Sequence, residues 1–183
     1  NYMKKLIGLI SVALAMFTCG GGDGQKHDIK VVNAKINGFI TEFDSIFVNN
    51  YDRPSLSVLA DSILANIEII RSENNQYDSL PYLYFVGGEV AMKVFKGEEA
   101  LKFFDYLINE FPTHEQTDKA MYFVAYTYEN VIQDTQKAIE MYKKLYKERP
   151  NSDWGENAKS QVLFLESQTP LMEDLDDNKQ EGL

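Results

Sequence analysis

At 183 residues, 44% hydrophobic and 25% charged, the chain has the balance of one globular domain with one core. A formal charge of −10 argues against a nucleic-acid partner and against adhesion to anionic lipid by charge, since both need clustered Lys and Arg. One cysteine rules out an internal disulfide and a cysteine-based zinc site, and two histidines, His27 and His114, leave little for imidazole chemistry.

In chain order, Met3 with Lys4 and Lys5 reads as a translation start with a basic n-region, leaving Asn1 and Tyr2 upstream of it. Residues 6 to 17 are apolar apart from Gly8 and Ser11. They fit a signal-peptide h-region and fall short of the roughly 20 residues that a bilayer span requires. Thr18, Cys19 and "GGGDG" come next: a small residue, the only cysteine, then a flexible polar spacer. Substrates of lipoprotein signal peptidase have this form. The mature chain then begins at Cys19, whose sulfur and amino group carry acyl chains, because several chains anchor stably where one does not. Met16 stands where leucine is usual and Thr18 where Gly, Ala or Ser is usual, so a plain secretory signal cleaved near Ala15 is the alternative. Removing residues 1 to 18 takes Lys4 and Lys5 with it and moves the formal charge from −10 to −12. Acyl chains on Cys19 are expected, and no other cofactor.

"GGGDGQKHD" reads as a tether, so residues 19 to 28 form a linker. Residues 29 to 48 have helical apolar spacing at Ile36, Phe39, Ile40, Phe43, Ile46 and Phe47. "NNYDRPS" breaks the pattern, and Pro54 suits the first turn of a second helix running to about Ile70. Its buried stripe is expected at Leu56, Leu59, Ala60, Ile63, Leu64, Ile67 and Ile70. "RSENNQYDS" is a polar loop.

Beyond Pro81 the chain repeats itself. "GEEALKFFDYLINEFPTH" and "TQKAIEMYKKLYKERPNS" align with a constant offset of 38, which pairs Ala100 with Ala138, Phe104 with Tyr142 and Pro112 with Pro150. The same offset takes Tyr84 to Tyr122 and Ala120 to Ala158, so Trp154 opens a third unit with only its first helix. A fixed period of this size marks stacked helical hairpins. A small residue lets the second helix approach the first, the aromatic four residues on lies one turn along the same face, and proline ends the helix. Lys96 and Gly97 are expected to make the turn of the first hairpin, and Asp134 to cap the second helix of the next. Thr113 with Gln116, and Asp153 with Glu156, have capping-box spacing, with Ser152 as the other candidate cap at the last helix.

These positions resemble the tetratricopeptide repeat. With Pro81 as position one, Gly88 stands at the family's small eighth position, and Ala100, Phe104 and Pro112 stand at its later signature positions. Tyr126 departs from the pattern in the second unit. "PYLYFVGGEVAM" and "KAMYFVAYTYEN" are similar to segments of small lipid-anchored repeat proteins of Bacteroidota. More distant similarity is to envelope repeat lipoproteins of outer-membrane protein assembly and to a repeat protein that coordinates cell division.

The resemblance implies an all-α fold, a short right-handed α-solenoid of tetratricopeptide-like hairpins. Residues 1–18 are the signal, 19–28 the tether and 29–72 helices packed on the stack. Residues 73–167 are the repeats (81–114, 115–152 and a final helix 153–167), and 168–183 an acidic tail read as disordered. The sharper reading of that tail docks Leu171, Met172 and Leu175 on a partner.

Placed on this chain, the family's groove positions are Tyr82, Phe85, Glu89, Met92 and Lys93 in the first unit, Phe123, Thr127 and Asn130 in the second, and Gln161 in the third. Phe85 and Glu89 occupy positions where a peptide-carboxylate clamp would need Lys and Asn. The resemblance therefore implies an aromatic groove for an extended or helical segment of another protein, with packing of those aromatics in the core as the competing reading. The expected partners are an envelope or membrane protein and, through the anchor, the lipid bilayer, with the outer membrane's periplasmic face as location. No Ser-His-Asp set, P-loop, HExxH or calcium loop occurs, and no enzyme is expected. A structural subunit without a groove ligand is the alternative, and a glycan-active or glycan-binding protein a weaker one.

Overall fold

The computed structural model of the chain describes residues 26–168, so Cys19, most of the tether and the acidic tail lie outside the described residues. Seven helices follow one another, with no strand among the described residues. They are α1 (Ile29–Asn49), α2 (Arg53–Glu73), α3 (Leu80–Lys93), α4 (Gly97–Glu110), α5 (Thr117–Thr127, continued by a π-helical turn over Tyr128–Ile132), α6 (Thr135–Glu148) and α7 (Asp153–Gln168). Each helix packs against its neighbours in the chain, and α5 also touches α7. The fold is an all-α stack of helical hairpins, with α1 and α2 forming a complete hairpin ahead of the repeated ones.

Local chemistry accounts for the ends. Asp28 caps α1 by accepting the Lys30 N–H (2.9 Å), and Asp134 caps α6 by accepting that of Lys137 (2.8 Å). Pro54 and Pro81 sit in the first turns of α2 and α3, where a missing N–H costs nothing. All seven expected stripe residues of α2 are buried. The helix runs one turn past Ile70, because the Arg71 guanidinium is held by Glu110 across on α4 (2.9 Å) and the Ser72 hydroxyl returns to the Ile69 carbonyl. His27, read as tether, is pinned: its backbone N–H donates to Glu73 Oε2 (2.8 Å) and its ring meets Glu73 Oε1.

Two turn expectations are corrected. Thr113 and Gln116 make no capping box: α5 starts at Thr117, three residues later than the box requires, the Gln116 N–H goes to His114 Nδ1 (3.2 Å), and the Thr117 hydroxyl donates to the Phe111 carbonyl (2.7 Å). At α7 the cap is Ser152, whose Oγ accepts the Gly155 N–H (3.1 Å). The first hairpin's turn is not made by Lys96 and Gly97: it lies at Val94 and Phe95, with Phe95 left-handed, and Gly97 already opens α4. Gly97 is small for another reason: a Cβ there would lie 2.8 Å from Ile132 on the neighbouring hairpin.

The repeat is visible in the backbone itself. Phe95 and Gln133, 38 residues apart, both have φ 64°. Phe111 and Arg149, at the same spacing, end α4 and α6 with φ/ψ of −133°/56° and −130°/55°. Each stands just before a proline, which forbids a further helical turn. Ala100, Ala138 and Ala158 are fully buried, and the Phe104 ring lies on Gly88, as the spacing required. The second hairpin has Tyr126 in place of Gly88, so no ring can lie there. Tyr142, at the position of Phe104, instead packs on Tyr122 (5.1 Å between centroids) and donates its hydroxyl to Glu129 Oε2 (2.9 Å).

Burial first, then the hydrogen bond to Glu129, pushes the Tyr142 phenol well above the ordinary tyrosine range, and burial with Glu110 does the same to Tyr84. Both groups hold their protons more tightly folded than unfolded. Their contribution to stability is whole below the unfolded tyrosine pKa, about 10, and is lost as pH rises above it. Alkaline titration should therefore leave the melting temperature level up to about pH 10 and then lower it. The fall should be shallower in the Tyr84→Phe, Tyr142→Phe double variant. An equally steep fall in that variant would assign the effect elsewhere.

Candidate protein-binding surface

The first helices of successive hairpins, α3, α5 and α7, are joined by aromatic contacts. Phe85 on α3 meets Phe123 on α5 edge-on at 5.8 Å, and Phe123 meets Trp154 on α7 at 6.2 Å. Phe104 closes the triangle from the second helix of its hairpin, 5.8 Å from Phe85 and 5.9 Å from Phe123. Such offset and edge-to-face pairs add to what burial of the rings contributes.

This packing divides the nine candidate groove residues. Phe85, 3% exposed, and Thr127, fully buried, belong to the core and offer a partner no surface. Phe85 is buried because rings from two other helices converge on it. Thr127 is buried beside the π-turn, with its hydroxyl donated to the Phe123 carbonyl (2.7 Å). Met92 and Lys93 are half-buried at the end of α3 facing α1. The Lys93 ammonium stands 5.3 Å from the Phe47 ring centre and 4.0 Å from Asp44, so α1 already engages this end. Glu89, Phe123 and Gln161 are half-buried, while Asn130 and Tyr82 are exposed, Tyr82 by 47%. An accessible strip remains: Tyr82, Glu89, Phe123, Asn130 and Gln161.

Three further residues complete that strip. The Lys119 ammonium rests 4.3 Å from the centre of the Phe85 ring and 5.7 Å from that of Phe123. Tyr126 lies 5.9 Å from Phe123, and Trp154 5.1 Å from Tyr122. Lys119 and Phe123 are four residues apart on a helix, a spacing that puts a cation over a ring and could have been read in advance. Trp154 could not, since its contact depends on how α7 crosses α5. Together these groups can cover apolar side chains and hydrogen-bond an extended or helical backbone.

Elsewhere several polar groups are paired with one another. A hollow of about 550 Å³ lined by Arg71, Asn75, Glu110 and Phe111 contains the Arg71–Glu110 ion pair, with the Tyr84 hydroxyl also on Glu110 (2.9 Å). This network ties α2, α3 and α4 together. His114, on the loop after α4, accepts the Gln116 N–H at Nδ1 (3.2 Å) and serves the turn. Among the described residues no helix is long and apolar enough to cross a membrane, and no group of three His, Cys, Asp or Glu is placed to hold a metal. No protein-family model and no curated protein matches the chain, so its surface has to be read from its own geometry.

Proposed function

We propose that this chain is a lipid-anchored adaptor of the cell envelope that holds a protein partner on the faces of α3, α5 and α7. One observation carries the reading: three successive first helices carry exposed or half-buried aromatic and amide groups, Tyr82, Phe123, Tyr126, Asn130, Trp154 and Gln161, with the Lys119 ammonium beside the Phe123 ring. Aromatic and amide groups of this kind suit protein segments, whose apolar side chains and backbone they meet together. The anchor rests on Cys19 between an apolar run and a glycine-rich spacer. The resemblance to tetratricopeptide lipoproteins of Bacteroidota supports an outer-membrane location facing the periplasm.

A second reading is a structural subunit that docks through its other faces. It draws support from the burial of Phe85 and Thr127, which narrows the strip. Crosslinking in cells followed by mass spectrometry, with Tyr82→Arg and Asn130→Arg together against Lys144→Glu on exposed α6, separates the two. The adaptor reading expects a partner captured by the parent and the α6 variant, with capture down at least about tenfold in the double variant. Full capture by the double variant, or no crosslinked protein at all, overturns it. Labelling with a fatty-acid precursor should mark the parent and not Cys19→Ala, and equal labelling removes the anchor from the reading.

A further inference from the structure

Among the described residues, the half-buried lysines and arginines stand beside carboxylates: Arg71 on Glu110, Lys93 on Asp44, Lys96 on Asp61, Lys137 on Glu140, Lys143 on Glu166 and Arg149 on Asp118. Lys119 is the exception. It is half-buried, yet no carboxylate of the described residues forms an ion pair with it. Acid is not scarce, with 28 acidic side chains against 18 basic ones. Asp118, its neighbour in the chain, is given to Arg149. The Lys119 ammonium rests instead against ring faces, 4.3 Å from the centre of Phe85 and 5.7 Å from that of Phe123. A ring face attracts the charge but accepts little from its three N–H donors.

Packing does not demand a lysine at this place. The residues 38 positions to either side are Pro81 and Asn157, on the first helices of the neighbouring hairpins, and neither is charged. What the fold takes from Lys119 is its stem, laid over the buried Phe85 ring, and methionine would supply that as well. The charge is left over, and it stands on the accessible strip.

A carboxylate arriving there meets an ammonium that has already shed part of its water. Such a charge-assisted bond exceeds an exposed ion pair. Phe123, with Tyr126 at 5.9 Å and Trp154 at 6.2 Å, offers the adjoining apolar side chain a cover. Glu89, one turn along α3 from Phe85 and also without an ion pair among the described residues, repels a second carboxylate on that side. The match is therefore a single acid, not an acidic run. The formal charge of −10 opposes such a partner only at range, and physiological salt screens that repulsion beyond about 8 Å. We propose that Lys119 determines the specificity of the strip by receiving one carboxylate of the partner segment, while Phe123, Tyr126 and Trp154 cover the apolar side chain next to it. The inference rests on the adaptor reading and names the chemistry of its partner.

Selection of random dodecapeptides, displayed on phage so that no peptide C-terminus is free, on the full chain in detergent tests it. Enriched peptides should carry Asp or Glu within one helical turn of an aromatic or large aliphatic residue. Synthesised with an amidated end, such a peptide should shift the emission of Trp154, the only tryptophan, and bind at least about tenfold more tightly than its Asn or Gln counterpart. Lys119→Met keeps the stem over Phe85. It should leave the melting temperature unchanged and erase the preference by weakening the acidic peptide alone. If freeing the C-terminus restores the amide counterpart's binding, and Lys119→Met abolishes the gain, a chain end also satisfies the site. Equal binding of acidic and amide forms to the parent overturns the proposal, whether or not the variant folds. Peptides that keep full affinity for the Tyr82→Arg, Asn130→Arg double variant, or no enriched peptide at all, overturn the adaptor reading with it.

Discussion

Phe104→Ala is expected to lower the unfolding free energy by about 3–5 kcal/mol, the range for removing a buried phenylalanine ring. The ring is fully buried and touches two other helices at once: Gly88 and Phe85 of α3, and Phe123 of α5. Its loss opens a cavity at the joint between two hairpins, where neighbours held by their own helices cannot collapse. Gly88→Ala tests the same joint from below. Helix propensity favours the alanine by about 0.8–1 kcal/mol. The added Cβ, however, would lie 2.3 Å from Phe104 Cε1, on a ring wedged between two others, and overpacking of this kind costs about 1–3 kcal/mol. The collision wins, and the variant is destabilised. Combined, the two substitutions should cost less than their sum by about 1 kcal/mol, since the new methyl enters space the ring has left. Urea denaturation with an unchanged slope measures all three. Strict additivity would mean that the ring does not bear on Gly88.

Gly155→Ala is the other large effect, and here the two lines of reasoning predict opposite signs. Gly155 lies in the first turn of α7, where helix propensity alone promises a gain of about 1 kcal/mol. A Cβ on it would stand 1.9 Å from the Arg149 carbonyl oxygen, a backbone atom that cannot rotate away. Retreat of the loop is also blocked. Arg149 is fixed to Asp118 on α5 (2.9 Å), and its Nη2 donates to the Pro112 carbonyl (3.4 Å). The Ser152 cap links the same carbonyl to the Gly155 N–H. A cost of at least about 3 kcal/mol is expected, taken up by detachment of α7 with Ala158, Val162 and Leu165. The measurement is hydrogen exchange in residues 153–168 beside the melting temperature. An unchanged melting temperature with α7 still protected would mean the close approach is relieved at no cost.

Most of the fold was legible because it rests on short-range rules. Apolar groups every three or four residues announce α1 and α2, prolines mark helix starts and stops, and the offset of 38 reappears in the left-handed φ of Phe95 and Gln133. What escaped depends on through-space contact. Thr113 and Gln116 have capping spacing, yet the Gln116 N–H that a box would engage goes to His114 Nδ1. The candidate site was half legible for the same reason. Position in the repeat places a residue on the first helix, but only the crossing of three helices decides its exposure. That crossing buries Phe85 and Thr127 and leaves Tyr82 and Asn130 open.

The amino-acid sequence alone determined the helical class, the hairpin period, the small residue and aromatic that close each hairpin, and the lone cysteine behind an apolar run. These are properties of spacing along one chain, which the geometry of an α-helix converts directly into faces. Tertiary structure alone decided which aromatics line the outside, why Gly155 must be glycine, that Lys119 also reaches the Phe85 ring, and that Leu163 and Phe164 stand uncovered among the described residues. Each of those depends on the distance between groups on different helices, and helix crossing, not residue order, sets that distance.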